Sequence, residues 1–127
     1  MTSSSSDECL RVAVVDDHTD SADTLAMLLS LQDIETKTAA NGDEAIALIR
    51  AFKPHCVLFD ICMPGMDGLE LAKRLRATTG DDVILLAMTG LDSNDMRVAD
   101  TFNLVDHYFQ KPVEPDALLR VLKPNWS

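Results

Sequence analysis

Short apolar runs alternate with longer amphipathic segments along the chain. Leu10 to Val15 is a β-branched run that stops abruptly at Asp16-Asp17, the pattern of a buried strand. From Ser21 to Leu31 the apolar residues Ala22, Leu25, Ala26 and Leu29 recur at helical spacing and mark one helix face. Ile34 to Ala39 is more polar and reads as a strand at a sheet edge, and Asn41-Gly42 reads as a turn. Ala45, Leu48, Ile49 and Phe52 repeat the helical spacing until Pro54 stops it. Cys56 to Phe59 is a second buried strand, ending at Asp60. Pro64 to Gly68 is a loop by composition, and Leu71, Ala72 and Leu75 mark a third helix. Val83 to Met88 is the most apolar run, a central strand ending at Thr89-Gly90. Asp92 to Phe102 reads as a weakly amphipathic helix, and Val105 to Phe109 as a last strand before Lys111-Pro112. Pro115 suits the first turn of a final helix through Leu122, whose apolar face is Leu118, Val121 and Leu122.

Five βα units of this kind predict an α/β domain, with helices on both faces of a parallel sheet. Right-handed crossovers leave few topologies. The common five-strand solution is the flavodoxin-like, doubly wound order 2-1-3-4-5, whose switch point lies between strands 1 and 3. Residues 10–123 read as this domain, 1–9 as a short disordered lead-in and 124–127 as a tail.

The topology gathers the polar strand ends on one rim. Strand 1 ends in Asp16-Asp17, strand 3 in Asp60, strand 4 in Thr89, and strand 5 runs into Lys111. Three carboxylates thus converge at the switch point. Two such charges ~4 Å apart repel by ~4 kcal/mol at an effective dielectric of ~20. Protons or a cation must relieve that repulsion, and an open all-oxygen cluster suits Mg²⁺ (or Mn²⁺). Lys111 adds a compact positive charge and Thr89 a hydroxyl donor. A cation, an ammonium and a hydroxyl around one carboxylate are what an acyl phosphate on that carboxylate requires.

Composition narrows the picture. The 127 residues fit one domain, 46 % of them are hydrophobic, and the net charge is −10. That charge argues against nucleic acid and against an anionic membrane surface as partners. An odd cysteine count (Cys9, Cys56, Cys62) without zinc spacing points to neither a disulfide framework nor a metal knuckle, and the simplest compartment is the cytoplasm. The serine-rich start has no signal-peptide pattern, and no apolar run approaches the ~20 residues of a membrane span.

Asp16-Asp17, Asp60 followed by Met63-Pro64-Gly65-Met66-Asp67-Gly68, Met88-Thr89-Gly90 and Lys111-Pro112 together resemble the signature of the response-regulator receiver domains of two-component signalling. The resemblance runs from about Leu10 to Leu122. It implies that Asp60 is the phospho-acceptor and that Asp17 ligates Mg²⁺ directly, Asp16 through water. It further implies that the Cys62 backbone carbonyl completes the protein ligands and that Lys111 and Thr89 bind the phosphoryl group. Tyr108 matches the aromatic that moves with the threonine, and Lys111-Pro112 matches a bond that is cis in the family. The implied partners are a histidine kinase or phosphotransfer protein, and a downstream protein on the face of the fourth helix, fifth strand and fifth helix. A phosphorylation-dependent homodimer and a receiver belonging to a longer hybrid kinase are compatible with the same sequence. Cys62, and the Gly90-Leu91 that follows Thr89, depart from the commonest pattern.

Plainer readings stand beside these. Asp16-Asp17 after a strand can simply cap the next helix, Thr89 can be a turn residue, Lys111 a solvated charge, and Tyr108 a half-buried core residue. Cys62 reads as a small tolerated side chain in preference to a redox-sensitive thiol, His18 as a surface loop residue in preference to a metal ligand because Mg²⁺ favours oxygen, and His55 and His107 as residues without evident partners. An aspartate-nucleophile phosphatase would need a second acid where Cys62 stands, and a nucleotide or flavin module lacks its glycine-rich loop. A phosphorylation-independent scaffold receiver is the remaining alternative. On this reading the chain is a signalling switch and not an enzyme beyond its own phosphorylation and dephosphorylation.

Overall fold

The computed structural model describes residues 10–63, 66–80, 82–89, 104–111 and 113–122, with backbone only at 62–63 and 66–67. The lead-in, the tail, the helix expected over Asp92 to Phe102, Gly90-Leu91 and Pro112 lie outside these residues. Strand β1 (Arg11–Val15) pairs in parallel on one side with β2 (Glu35–Ala39) and on the other with β3 (Cys56–Asp60). Beyond β3 lie β6 (Ile84–Thr89) and then β7 (His107–Gln110), again parallel, giving the sheet order β2-β1-β3-β6-β7. The doubly wound 2-1-3-4-5 order is therefore present, with β6 and β7 as its fourth and fifth strands.

The strands are apolar on both faces because both are covered. Alternate residues of β1, β3 and β6 divide between two cores. Ala13, Val15, Val57, Phe59, Leu85 and Ala87 face α2 (Gly42–Phe52) and α3 (Gly68–Thr79). Val12, Val14, Cys56, Leu58, Leu86 and Met88 face α1 (Thr19–Ser30) and α4 (Pro115–Leu122). Each helix supplies the stripe its spacing predicts: Ala22, Leu25 and Leu29 from α1, Leu71, Ala72 and Leu75 from α3, Leu118 and Leu122 from α4. Burying a Leu, Val or Phe side chain in such a core contributes ~1.5–3 kcal/mol. β2, with only Ala39 buried among its five residues, is the polar edge that its sequence predicts. Among the described residues no helix is long and apolar enough to cross a membrane.

Local details differ from the sequence reading in instructive ways. Asn41-Gly42 begins α2 instead of forming a separate turn. The Asn41 side chain accepts from the Glu44 backbone N–H at 2.9 Å, and the Glu44 carboxylate accepts from the N–H of Ala40, the residue before the N-cap, at 3.0 Å, a reciprocal exchange displaced by one residue from a capping box. The segment expected to be plain loop carries a two-residue antiparallel ladder between β4 (Cys62–Met63) and β5 (Met66–Asp67). Gly68 then opens α3 hard against Ile61, where a Cβ would overlap the Ile61 Cα, Cβ and carbonyl oxygen. Glycine is needed there for close approach.

The amino end of the sheet is tied by two arginines. Arg11 donates through Nε and Nη2 to the Lys53 carbonyl at 3.0 and 2.7 Å, and its backbone N–H donates to His55 Nδ1 at 3.0 Å. His55 is thus partnered. Burial first, and the Arg11 charge second, lower its pKa below the ordinary histidine value. Arg76, near the end of α3, donates to the Gly80 and Val83 carbonyls at 3.1 and 3.0 Å, and to the Leu104 carbonyl and Asp106 Oδ2 at 2.9 and 3.1 Å. Asp106 Oδ2 also accepts from the Leu85 N–H at 2.9 Å, which fixes the start of β7 against β6.

Candidate functional site

Side-chain parity along the strands explains why charge collects on one face of the carboxyl rim. Val14 sits opposite Leu58, so the next same-face residues, Asp16 and Asp60, come side by side just beyond the ladder. Asp60 in turn pairs with Met88, and Met88 with Phe109, two residues before Lys111. Asp16, Asp60 and Lys111 therefore continue the same face that carries Val12, Val14, Leu58, Met88 and Phe109 in the core below. Backbone bonds extend the sheet into this rim: Asp16 N–H donates to Ala39 O at 3.0 Å, Ile61 N–H to Met88 O at 3.0 Å, and Lys111 N–H to Thr89 O at 2.8 Å.

The Lys111 ammonium bridges the two buried acids. Its Nζ donates to Asp60 Oδ2 at 2.9 Å and to Asp16 Oδ2 at 3.1 Å. Both aspartates are 2 % exposed, as is Thr89 beside them at the end of β6. Ionised carboxylates at that depth are sustained only by partners of opposite sign. Burial alone would lower the Lys111 pKa, but its hydrogen bonds to Asp60 and Asp16 and their charges outweigh burial and raise it. Lys111 is thus a fixed cation at neutral pH.

One ammonium does not neutralise the cluster. One donor atom from each of Asp16, Asp17, His18 and Asp60 falls within 4.8 Å of the others. Among the described residues Asp17 Oδ1 is buried without a hydrogen-bond partner, an acceptor left over in a site rich in acceptors. An excess of oxygen lone pairs, partly open to solvent through Asp17, fits a hard divalent cation that keeps some of its water. Asp16, Asp17 and Asp60 would hold such an ion through their carboxylate oxygens.

Of the residues singled out in the sequence, the structure brings Asp16, Asp17, Asp60 and Lys111 together, with Thr89 at the adjoining strand end. Tyr108 lies partly buried against the core beneath α2 and α3. A cavity of about 560 Å³ opens beside the site between α1 and the approach to α4, lined by Asp16, Asp20, Thr24, Leu28, Lys111 and Pro115 among others. The sequence reading set one feature aside and missed another. The His18 ring, though exposed, turns onto the acidic pair; the available signal was a histidine at a helix N-cap, where oxygen side chains are favoured. Arg76 carried no signal, because three of its four acceptors are backbone carbonyls that any sequence would offer and the fourth, the Asp106 carboxylate, is distant in sequence. Cys56 is buried in β3, and burial, then the charge of Asp106, pushes its thiol up to about 12, which leaves it inert at neutral pH.

Comparison with known proteins places this geometry. The family model described as "Response regulator receiver domain" matches residues 12–123. A protein named response regulator MprA from Mycolicibacterium vanbaalenii is 38 % identical over 110 residues, covering 87 % of this chain and 47 % of that protein. Its namesake from Mycobacterium avium is 36 % identical over the same length, covering 87 % of this chain and 48 % of that protein. The chain thus spans about half the length of the curated relatives it matches. Among solved structures, a CheY-like receiver domain from Methanospirillum hungatei JF-1 has a TM-score of 0.84 at 30 % identity, with 92 % of this chain and 93 % of that one covered. A response regulator from Burkholderia pseudomallei, described as carrying a phosphorylated aspartic acid, a calcium ion and citrate, has a TM-score of 0.81 at 28 % identity, covering 91 % of this chain and 68 % of that one. With the five-stranded order, the acidic rim and a match over nearly the whole domain in agreement, the chain belongs to the response regulator receiver domain family of two-component signalling.

Proposed function

We propose that this chain is a phospho-acceptor switch in which Asp60 accepts a phosphoryl group from the phosphohistidine of a histidine kinase or phosphotransfer protein. The observation that carries the reading is the bridge from Lys111 to both Asp60 and Asp16, set beside the unsatisfied oxygen of Asp17. A carboxylate oxygen of Asp60 attacks phosphorus, the histidine N–P bond breaks, and the released ring nitrogen takes up a proton. Lys111 exchanges part of its contact with Asp60 for the incoming phosphoryl oxygens, and the Thr89 hydroxyl donates to another. Asp16, Asp17, Asp60 and the Cys62 carbonyl would hold Mg²⁺, which when bound would supply charge neutralisation. The description of the Burkholderia pseudomallei protein, with its phosphorylated aspartic acid and calcium ion, supports this assignment.

The covalent change alters the charge at the carboxyl ends of β3, β6 and β7. Thr89 and Tyr108 then carry the shift toward the surface shared by the helix expected over Asp92 to Phe102, β7 and α4, where a partner protein or a second copy docks. Residues 10–123 form the switching unit, and it works in the cytoplasm.

The test is incubation with a small-molecule phosphodonor and Mg²⁺, read on a phosphate-affinity gel beside Asp60→Asn. An acid-stable, base-labile, Mg²⁺-dependent shift that the variant lacks is the expected result. A shift of equal size in the variant would overturn the acceptor assignment. No shift in either folded protein, even with a panel of kinases, would favour a scaffold role.

A further inference from the structure

The switch reading makes no use of His18, which stands on the acidic rim. It is the N-cap of α1, yet its side chain forms no capping hydrogen bond. Its ring Nδ1 lies instead 3.3 Å from Asp16 Oδ1 and 3.4 Å from Asp17 Oδ1. The backbone that carries the ring is held, because the His18 N–H donates to Asp16 Oδ1 at 3.0 Å and its carbonyl accepts from the Ala22 N–H at 3.0 Å. Donors bound to one cation at ~2.0–2.2 Å stand about 3–3.5 Å apart along the edges of an octahedron or tetrahedron. The two His18 separations fall in that interval. The atom at the far end of one of them, Asp17 Oδ1, is the buried acceptor without a hydrogen bond among the described residues.

We propose that His18 is a fourth donor of this site, so that the site takes borderline dications such as Ni²⁺, Co²⁺ or Zn²⁺ through an imidazole nitrogen as well as Mg²⁺ through oxygens alone. The inference rests on the metal reading of Asp16, Asp17 and Asp60 given above. The physical basis is a difference between ions. Mg²⁺ selects oxygen and gives up water reluctantly, so a peripheral imidazole adds little to its binding. Later first-row dications gain strongly from imidazole. The ring is 66 % exposed, so it can close on an ion without disturbing the core. A purely ionic role, with a protonated ring paired to the aspartates, makes the opposite demand. Removing it would then strengthen the binding of every cation alike.

The experiment is calorimetric titration of the full chain with Mg²⁺ and with Ni²⁺, alone and in competition, in the unaltered protein, His18→Asn and Cys62→Ser. Asparagine is a favoured N-cap, so the first variant keeps the helix start while exchanging the imidazole nitrogen for an amide, which is a weaker donor to Ni²⁺. The second controls for the thiol of a residue only two positions after Asp60 in sequence. His18→Asn should weaken Ni²⁺ by no less than the ~10–100-fold typical of removing even a supporting group at a metal site. Mg²⁺ affinity should stay within about twofold, since that ion is held by oxygen donors. With Co²⁺, the unaltered protein should show shifted imidazole proton resonances that His18→Asn lacks. Parallel changes in Ni²⁺ and Mg²⁺ affinity would overturn the proposal, as would a Ni²⁺ loss confined to Cys62→Ser. Either result leaves the Mg²⁺ site standing. Failure of the unaltered protein to bind Mg²⁺ at all would instead refute the metal reading itself, and the role of His18 with it.

Discussion

Lys111→Ala removes the cation shared by two carboxylates that have almost no water of their own. At an effective dielectric of ~20, unit charges at the two observed distances attract by ~5–6 kcal/mol each. Burying the ammonium offsets part of this, and the Lys111 side chain retains 25 % of its exposure. Breaking a buried pair by deleting one partner costs ~3–5 kcal/mol, and the partly open rim lets water relax the remainder, so ~2–4 kcal/mol is the expected loss without metal. A dication binds the variant more tightly, because the carboxylates it meets are less neutralised, and its binding energy is returned as stability. Saturating Mg²⁺ should therefore halve the deficit or better. The assay is urea unfolding followed by far-UV circular dichroism, in chelator and in Mg²⁺. With slopes of ~1–3 kcal/mol per molar, the midpoint in chelator should fall by about 1–2 M. The upward shift of the Lys111 pKa sets the pH window. Its contribution is complete below the unfolded lysine value of ~10.4 and disappears only as pH rises through the folded one. No deficit in chelator, or equal deficits with and without Mg²⁺, would refute the electrostatic account.

Two further perturbations test the frame around the site. Gly68→Ala should cost ~1–3 kcal/mol by overpacking, because the Ile61 backbone it meets is held by its bond to Met88; an unchanged thermal midpoint would contradict that close approach. His55 is held below its ordinary pKa and accepts a hydrogen bond as the neutral ring, so the unfolded chain takes up its proton first. Stability from this group is complete above the unfolded value of ~6.5 and is lost as pH falls through the folded one. The urea midpoint of the unaltered protein should drop more between about pH 7.5 and 5.5 than that of His55→Gln, and parallel profiles would remove the assignment.

The sequence spoke most clearly where two periodicities coincide. Val12 to Val15 and Cys56 to Phe59 are apolar at every position because both sheet faces are covered, and each run stops where the polar rim begins. The same regularity put Asp16, Asp60 and Lys111 on one rim before any side chain was placed. Boundaries were less certain. Asn41-Gly42 looks like a turn until Glu44 is seen closing the cap, because the same dipeptide serves both uses. The Cys62–Asp67 ladder is too short to leave an alternating pattern, and Pro64-Gly65 within it speaks for a loop. Contacts made by side chains with distant backbone, such as Arg76 with Leu104 or Arg11 with Lys53, have no sequence period and emerge only with the fold. His18 stands between these cases. Its position was plain, but the direction of its ring depends on which neighbours the strand ends bring near.

Arg76 also sets a mechanical boundary condition. The chain leaves β6 at Thr89, on the acidic rim, and re-enters the described structure at Leu104, at the opposite end of the sheet. At Leu104 and Asp106 it is bolted to α3 by one guanidinium, and through Asp106 to β6 as well. One guanidinium thus joins α3, the start of β6 and the lead into β7 into a single foundation at the amino end of the sheet, so that a perturbation at the carboxyl rim meets a fixed base beneath it.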